Sequence, residues 1–371
     1  MTDMTLAPAL LPELLRTYRA DVPLRLWDHG KWSDVEKFLA LIGGGAVLNL
    51  CGRLRLWGSD DLFSGIVINV NVLPPTIHGG RVIVRAGADP SFNANCTVEQ
   101  LVDGSFDHNE LALCVLSTID FSRIIPCDLE ITVVAPIPPG ASLGTSAALG
   151  VAIERAFLGN AHDSLKIAER ALFAEKEIAG KNTGRQDHDA AANGSHCDVW
   201  TPAIMIEMTS LWEATVTSTP IGSNIASWLK NTVVTYLGSH DSSDIHQALM
   251  AELEGDSAAA EVKLTRIRQT AELARKALVE DSTELFSQAC QALLDAQRGL
   301  SQALIGGRSH VLIETARHFD GVSCVPGAGG NGGSLISCFP SRRKAEDFVF
   351  EARKAGIYRF YEVEYPGLNH H

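Results

Sequence analysis

Residues 138–149 read Pro138-Pro139-Gly140-Ala141-Ser142-Leu143-Gly144-Thr145-Ser146-Ala147-Ala148-Leu149. An apolar, β-type run, residues 129–137, leads into this stretch, and the helical pattern of residues 150–158 leads out of it. Strand, glycine turn and helix is the arrangement in which backbone N–H groups at a helix N-terminus face an anion. Gly140 and Gly144 let the backbone approach a ligand closely, since neither carries a Cβ. Thr145 and Ser146 offer hydroxyls to a helix cap, to phosphate oxygens or to a magnesium ion. No lysine follows Gly144, so the stretch is not a Walker loop. Taken alone, it reads equally as a tight turn into a capped helix.

The rest of the chain narrows the choice. At 371 residues, two domains are the natural division. An apolar fraction of 46% with 20% charged residues is that of a folded globular chain. A net charge of -13 argues against nucleic acid as a partner, because that role needs a positive surface. No apolar run approaches the roughly 20 residues that span a bilayer, so no membrane is expected either. The eight cysteines, at 51, 96, 114, 127, 197, 290, 324 and 338, include no CxxC pair. With no basic leader at the start, they suggest free thiols in a reducing, cytoplasmic setting.

Short β-type runs dominate the first 200 residues, while residues 243–306 are almost continuously helical in pattern. Strands and helices in mixed order predict an α+β chain of two domains, 1–215 and 216–371. One helix is expected over residues 98–119, and the polar segment 180–202 reads as turns.

Three further constellations stand out. Residues 325–334, Val-Pro-Gly-Ala-Gly-Gly-Asn-Gly-Gly-Ser, hold more glycine than a hairpin needs, which suggests close packing against a ligand or the other domain. Thr183-Gly184-Arg185-Gln186-Asp187-His188-Asp189 sets a carboxylate beside a cation, as a general base requires. Arg25-Leu26-Trp27-Asp28-His29-Gly30-Lys31-Trp32-Ser33-Asp34 combines carboxylates and tryptophans, a set suited to sugar hydroxyls and a pyranose face.

In this order the four stretches resemble the GHMP sugar kinase superfamily. There a motif near the N-terminus shapes the acceptor site, P-x-x-x-G-L-G-S-S-A wraps phosphate, and a G-A-G-G-G-G loop lies near the C-terminus. The segments 30–34 and 44–49, Gly-Lys-Trp-Ser-Asp and Gly-Gly-Ala-Val-Leu-Asn, are similar to the fucokinase and heptose-phosphate kinase branch. The resemblance implies a two-domain GHMP kinase fold, with the active site between the domains. It also implies ATP and Mg²⁺ as cofactors, and transfer of phosphate to a hydroxyl of a sugar or sugar phosphate, with a homodimer left open.

On this resemblance, Pro139, Gly140, Ala141, Ser142, Leu143, Gly144, Thr145, Ser146 and Ala147 hold the nucleotide, with Gly329 and Gly330 from the second domain. Ser146 and Glu177 bind the metal, with Glu175 in reserve. Asp187 takes or orients the acceptor proton, while Arg185 and Lys31 steady the transferring charge. Asp28, His29, Trp32, Asp34, Gln186 and His188 form the acceptor site. The chain departs from the family pattern at Lys31, Ser142, Thr145, His188 and Asn331. Those departures keep two alternatives open: a non-catalytic sugar or nucleotide sensor, and a kinase for another acceptor such as phosphomevalonate. For an anionic acceptor, Arg25, Lys31 and Arg53 supply positive charge.

Overall fold

The computed structural model describes residues 17–365 apart from 77–79, 88, 122–126, 160–161, 197–198, 201, 240–244, 246, 248 and 251–256, together with residue 368. In chain order the elements begin with β1 (Thr17–Val22), β2 (Leu24–His29), α1 (Glu36–Ile42), β3 (Gly45–Leu56), β4 (Ile66–Leu73), β5 (Arg81–Ala86) and β6 (Asp89–Thr97). Next come α2 (Val98–Asp103), α3 (Leu111–Leu116), β7 (Asp128–Val134), α4 (Thr145–Leu158) and α5 (Ser164–Phe173). A π-helical turn (Ala174–Ile178) extends α5 and is followed by α6 (Gln186–Asn193). Then follow the short β8 (Ser195–His196) and β9 (Val199–Trp200), β10 (Ala203–Ser210), β11 (Glu213–Ser218), α7 (Ser223–Leu229) and β12 (Thr232–Gly238). The last part holds α8 (Ser257–Val279), α9 (Thr283–Leu300), α10 (Gly307–His318), β13 (Val322–Cys324), β14 (Gly333–Cys338), α11 (Arg342–Lys354) and β15 (Phe360–Glu364).

Two sheets organise these elements, and the class is the expected α+β. The smaller has the order β1-β4-β7-β5-β6, with β5 parallel to β7, and α4 packs on β1 and β4. The larger has the order β11-β10-β3-β15-β12-β14-β13, with β2 also paired to β3. Helices α6 and α8 both pack on β3. That strand is consequently buried along most of its length, and its first eight residues, 45–52, read as a mainly apolar run rather than an alternating one.

The division expected at 215/216 falls inside β11, and the larger sheet runs through it. Residues 53–56 of β3, from the first half, pair with residues 361–364 of β15, from the second. One apolar cluster likewise joins Leu24, Leu50 and Val151 to Phe286, Ile336 and Tyr365.

Two local expectations are also corrected. The helix expected over 98–119 is two helices, because Gly104 turns left-handed (φ 78°) and ends α2. The polar segment after residue 180 contains α6 rather than turns alone. Asp187 and Asp189 in its first turn suit the helix dipole, and Ala190–Ala192 propagate it. Among the described residues seven cysteines are free and buried, while Cys197 lies outside them. No described helix is long and apolar enough to cross a membrane.

Candidate active site

The stretch at 138–149 leaves β7 and enters α4. Ala141 and Leu143 are fully buried and pin the loop to the core, while Gly140 (φ 74°), Ser142 (φ 61°) and Gly144 (φ 66°) are left-handed. The backbone thus reverses between anchored residues, and α4 begins without a side-chain cap at Gly144. A 14-residue helix whose first turn is left uncapped by side chains presents its N–H groups and dipole to an anion. Ser142 stands where the family pattern has glycine, and it keeps the glycine conformation.

Asp187, in the first turn of α6, faces this loop. A Cβ on Gly144 would lie 3.0 Å from Asp187 Cγ and 3.2 Å from its Oδ2, so any larger residue at this left-handed position would crowd the carboxylate. Arg25 clamps that carboxylate from the other side: Nε donates to Oδ1 at 2.8 Å and Nη2 to Oδ2 at 3.3 Å. Arg25 and Asp28 stand three apart on β2, a spacing that puts residues on opposite faces of a regular strand. The β2–β3 register shifts between Arg25 and Trp27, and this bulge brings the pair together, Nη1 to Oδ2 at 3.0 Å. Burial opposes the charge of Arg25, but Asp187 and Asp28 outweigh it and hold the guanidinium firmly protonated.

The C-terminal glycine loop closes the cluster. Gly327 N donates to Asp28 Oδ2 at 2.7 Å. A Cβ on Gly327 would lie 2.8 Å from Ser142 O, 3.0 Å from Ser142 Cβ and 3.2 Å from Arg25 Nη2. The Cβ that Ser142 adds therefore lies against Gly327, and the two glycine loops meet there.

On the α5 side, the π turn carries Glu175 inward. Its Oε2 lies 3.0 Å from His188 Nε2, and its Oε1 lies 3.9 Å from Lys181 Nζ. Burial would raise the Glu175 carboxyl, but the His188 ring, the Lys181 ammonium and the Ser146 hydroxyl outweigh it and hold the group below the usual range. π turns recur at functional sites because the extra residue re-aims a side chain. Glu177, on the same turn, is exposed, so the structure brings Glu175 to Ser146 and leaves Glu177 outside.

Residues 110–195, from the start of α3 through α6, match the family model described as the GHMP kinases N terminal domain. No curated protein matches the chain. Among solved structures, the fold is similar to a D-glycero-D-manno-heptose 1-phosphate kinase from Bacteriodes thetaiotaomicron (TM-score 0.64, 19% identity, 94% of this chain and 97% of that one). It is also similar to Lactococcus lactis galactokinase (0.67, 13%, 95% and 93%) and to Methanococcus jannaschii mevalonate kinase (0.63, 16%, 95% and 99%). The chain has the GHMP kinase fold.

Within that fold, several residues expected at the site do other work. The Arg185 guanidinium is turned to Asp189, with Nε donating to Oδ2 at 2.6 Å, and to Leu211 O at 3.2 Å. Lys31 donates to Val325 O and lies 3.9 Å from Asp28 Oδ1; burial lowers its pKa. Neither cation is left over for a transferring group. His29 stacks on Trp27 and meets Phe286 edge-on in the core, and burial pushes its pKa down to about 3. Trp32 is buried against Phe38, so its face is not open to a sugar.

Asp34 accepts from Gln186 N at 3.1 Å, and burial pushes its carboxyl up to about 6. The buried Gln186 leaves its side-chain oxygen without a hydrogen bond. Gly329 and Gly330 of the GHMP kinase fold's C-terminal loop pack on residues 245 and 304, and Gly330 bridges to Ile305. Their lack of side chains is thus explained by packing on residues away from the Arg25–Asp187 cluster, whereas Gly327 packs on that cluster, and Asn331 is exposed. Sequence reasoning held Arg25 only as a charge for an anionic acceptor. A cation inside the apolar run Val22–Trp27 is the signal of its role, because a buried strand keeps a charge only where partners meet it.

Proposed function

We propose that this chain is an ATP-dependent small-molecule kinase whose acceptor is a hydroxyl of a sugar or sugar phosphate, of the fucose or heptose type. The observation that supports it is the Asp187 carboxylate, held by Arg25 at the uncapped head of α4, where a nucleotide's terminal phosphates suit the helix dipole. Phosphoryl transfer asks mainly for positioning and charge neutralisation. The loop 140–147 binds the phosphates through backbone N–H groups. Asp187, with each oxygen accepting once from Arg25, keeps further lone pairs for an acceptor hydroxyl and takes or orients its proton. Ser146 and Glu175 are the oxygen ligands suited to a divalent cation, which when bound neutralises charge on the β- and γ-phosphates. Arg25 and the Gly327 N–H fix Asp28 and Asp187 rather than the substrate.

The sugar acceptor is favoured by the first-motif resemblance and by the already neutralised Arg25 and Lys31, which leave little free charge for an acceptor that carries a carboxylate as well as a phosphate, such as phosphomevalonate. The left-handed Ser142 keeps the loop conformation, which favours catalysis over a sensor that has lost it. An ADP-release screen over fucose, galactose, heptose phosphates, phosphomevalonate and homoserine tests this. Release with a sugar or heptose phosphate is expected. Release with phosphomevalonate or homoserine alone overturns the acceptor, and sugar binding without ADP release overturns the kinase.

A further inference from the structure

Three buried polar atoms beside Ser146 are poorly satisfied. Neither ring nitrogen of His188 nor Oε2 of Glu175 makes a well-aligned hydrogen bond, although the imidazole is 1% exposed and the carboxylate 5%. Nε2 and Oε2 lie 3.0 Å apart but are misaligned for a hydrogen bond. Leaving a buried polar atom unsatisfied is costly, so two of them facing each other, Nε2 and Oε2, point to a missing partner between them. Two donors at adjacent corners of an octahedron about 2.1 Å in radius lie about 3 Å apart. The separation of Nε2 from Oε2 is that of two ligands on one ion. Lys181 faces the other oxygen, Oε1, which leaves Oε2 directed at the imidazole.

We propose that His188 Nε2 joins Ser146 Oγ and Glu175 Oε2 in holding the divalent cation, so that the site selects Mn²⁺ or Co²⁺ over Mg²⁺. This rests on the nucleotide-site reading above and extends it to the choice of metal. Mg²⁺ takes oxygen ligands and keeps its waters, whereas imidazole nitrogen raises affinity along the series from Mn²⁺ toward Cu²⁺. His188 is also one of the positions at which the sequence departs from the family pattern, and α6 turns it toward the π turn while its neighbour Asp187 faces Gly144.

The test is pulsed electron paramagnetic resonance on the full chain labelled with ¹⁵N-histidine, in the presence of Mn²⁺ and ADP. A ¹⁵N coupling of a directly bound imidazole is expected, absent in His188→Gln. The ratio of Mn²⁺ to Mg²⁺ affinity, measured by competition, should fall about tenfold or more in that variant. Absence of ¹⁵N coupling, or its persistence in His188→Gln, overturns the imidazole ligand. If Mn²⁺ affinity still drops in Glu175→Gln, the nucleotide site stands without it. Mn²⁺ binding indifferent to both Glu175→Gln and Ser146→Ala overturns the proposal and the site reading together.

Discussion

Asp187 is 25% exposed while the Arg25 that grips it is 2% exposed, so the pair presents one carboxylate edge to solvent from a buried support. Asp187→Asn keeps the shape and removes the proton acceptor; turnover should fall on the order of 10²-fold or more with the fold intact. Steady-state kinetics beside circular dichroism checks this, and near-normal turnover sinks the role. Asp34 makes a pH-dependent prediction. Its folded pKa of about 6 exceeds the ordinary 3.8, so between those values the folded chain holds a proton that the unfolded chain has released. The group therefore favours folding in acid, and that contribution fades as pH rises through about 6. Asp34→Asn stays neutral throughout. It should gain up to about 3 kcal/mol over the parent at pH 8 and almost nothing at pH 4. Urea unfolding at both pH values measures the difference, and a gain independent of pH contradicts it. At Ser142, a left-handed residue with φ 61°, valine is β-branched and strained. Ser142→Val should lose about 1–3 kcal/mol, whereas Ser142→Gly should stay within about 1 kcal/mol of the parent in the same melts.

The turn from β7 into α4 is the element whose sequence said most, and it did so through spacing. Two prolines, two glycines and small hydroxyls between an apolar run and a helical pattern already pointed to the strand–loop–helix order, while the left-handed turn at Ser142 is visible only in the structure. What stayed hidden belongs to elements that owe their form to distant partners. α6 is short and polar, and its place is fixed by α4, α5 and β3, so its own residues read as turn. The π turn is a one-residue insertion in a helical pattern, which periodicity does not reveal, and it is what exchanges Glu177 for Glu175. The β2 bulge hides the Arg25–Asp28 pair in the same way. At the loop–helix junction, Gly144→Val combines a left-handed β-branched residue with a clash on Asp187. ATP binding should be lost at low temperature while circular dichroism still reports a folded chain, and unchanged binding moves the nucleotide elsewhere.

Across the whole molecule, β3 is the shared spine: β2 and β10 pair along its first part and β15 along its last. With the apolar cluster continuous as well, unfolding should be one cooperative transition, with tryptophan fluorescence and circular dichroism coincident in urea. Two separated transitions would restore independent halves. A fragment of residues 216–371 lacks β3 and begins inside β11, so it should not fold alone. Composition could indicate two domains but not this pairing, because the strands concerned lie roughly three hundred residues apart. That separation also bears on synthesis. At about 5–20 residues per second, the C-terminal part of β3 waits some 15–60 s for its partner to be translated. During that interval a nascent apolar edge invites association with other chains. The waiting segment, residues 53–56, alternates Arg53 and Arg55 with leucines, and Arg55 pairs with Glu362 only when β15 arrives. The two arginines thus guard the growing chain against its neighbours before they serve the finished sheet.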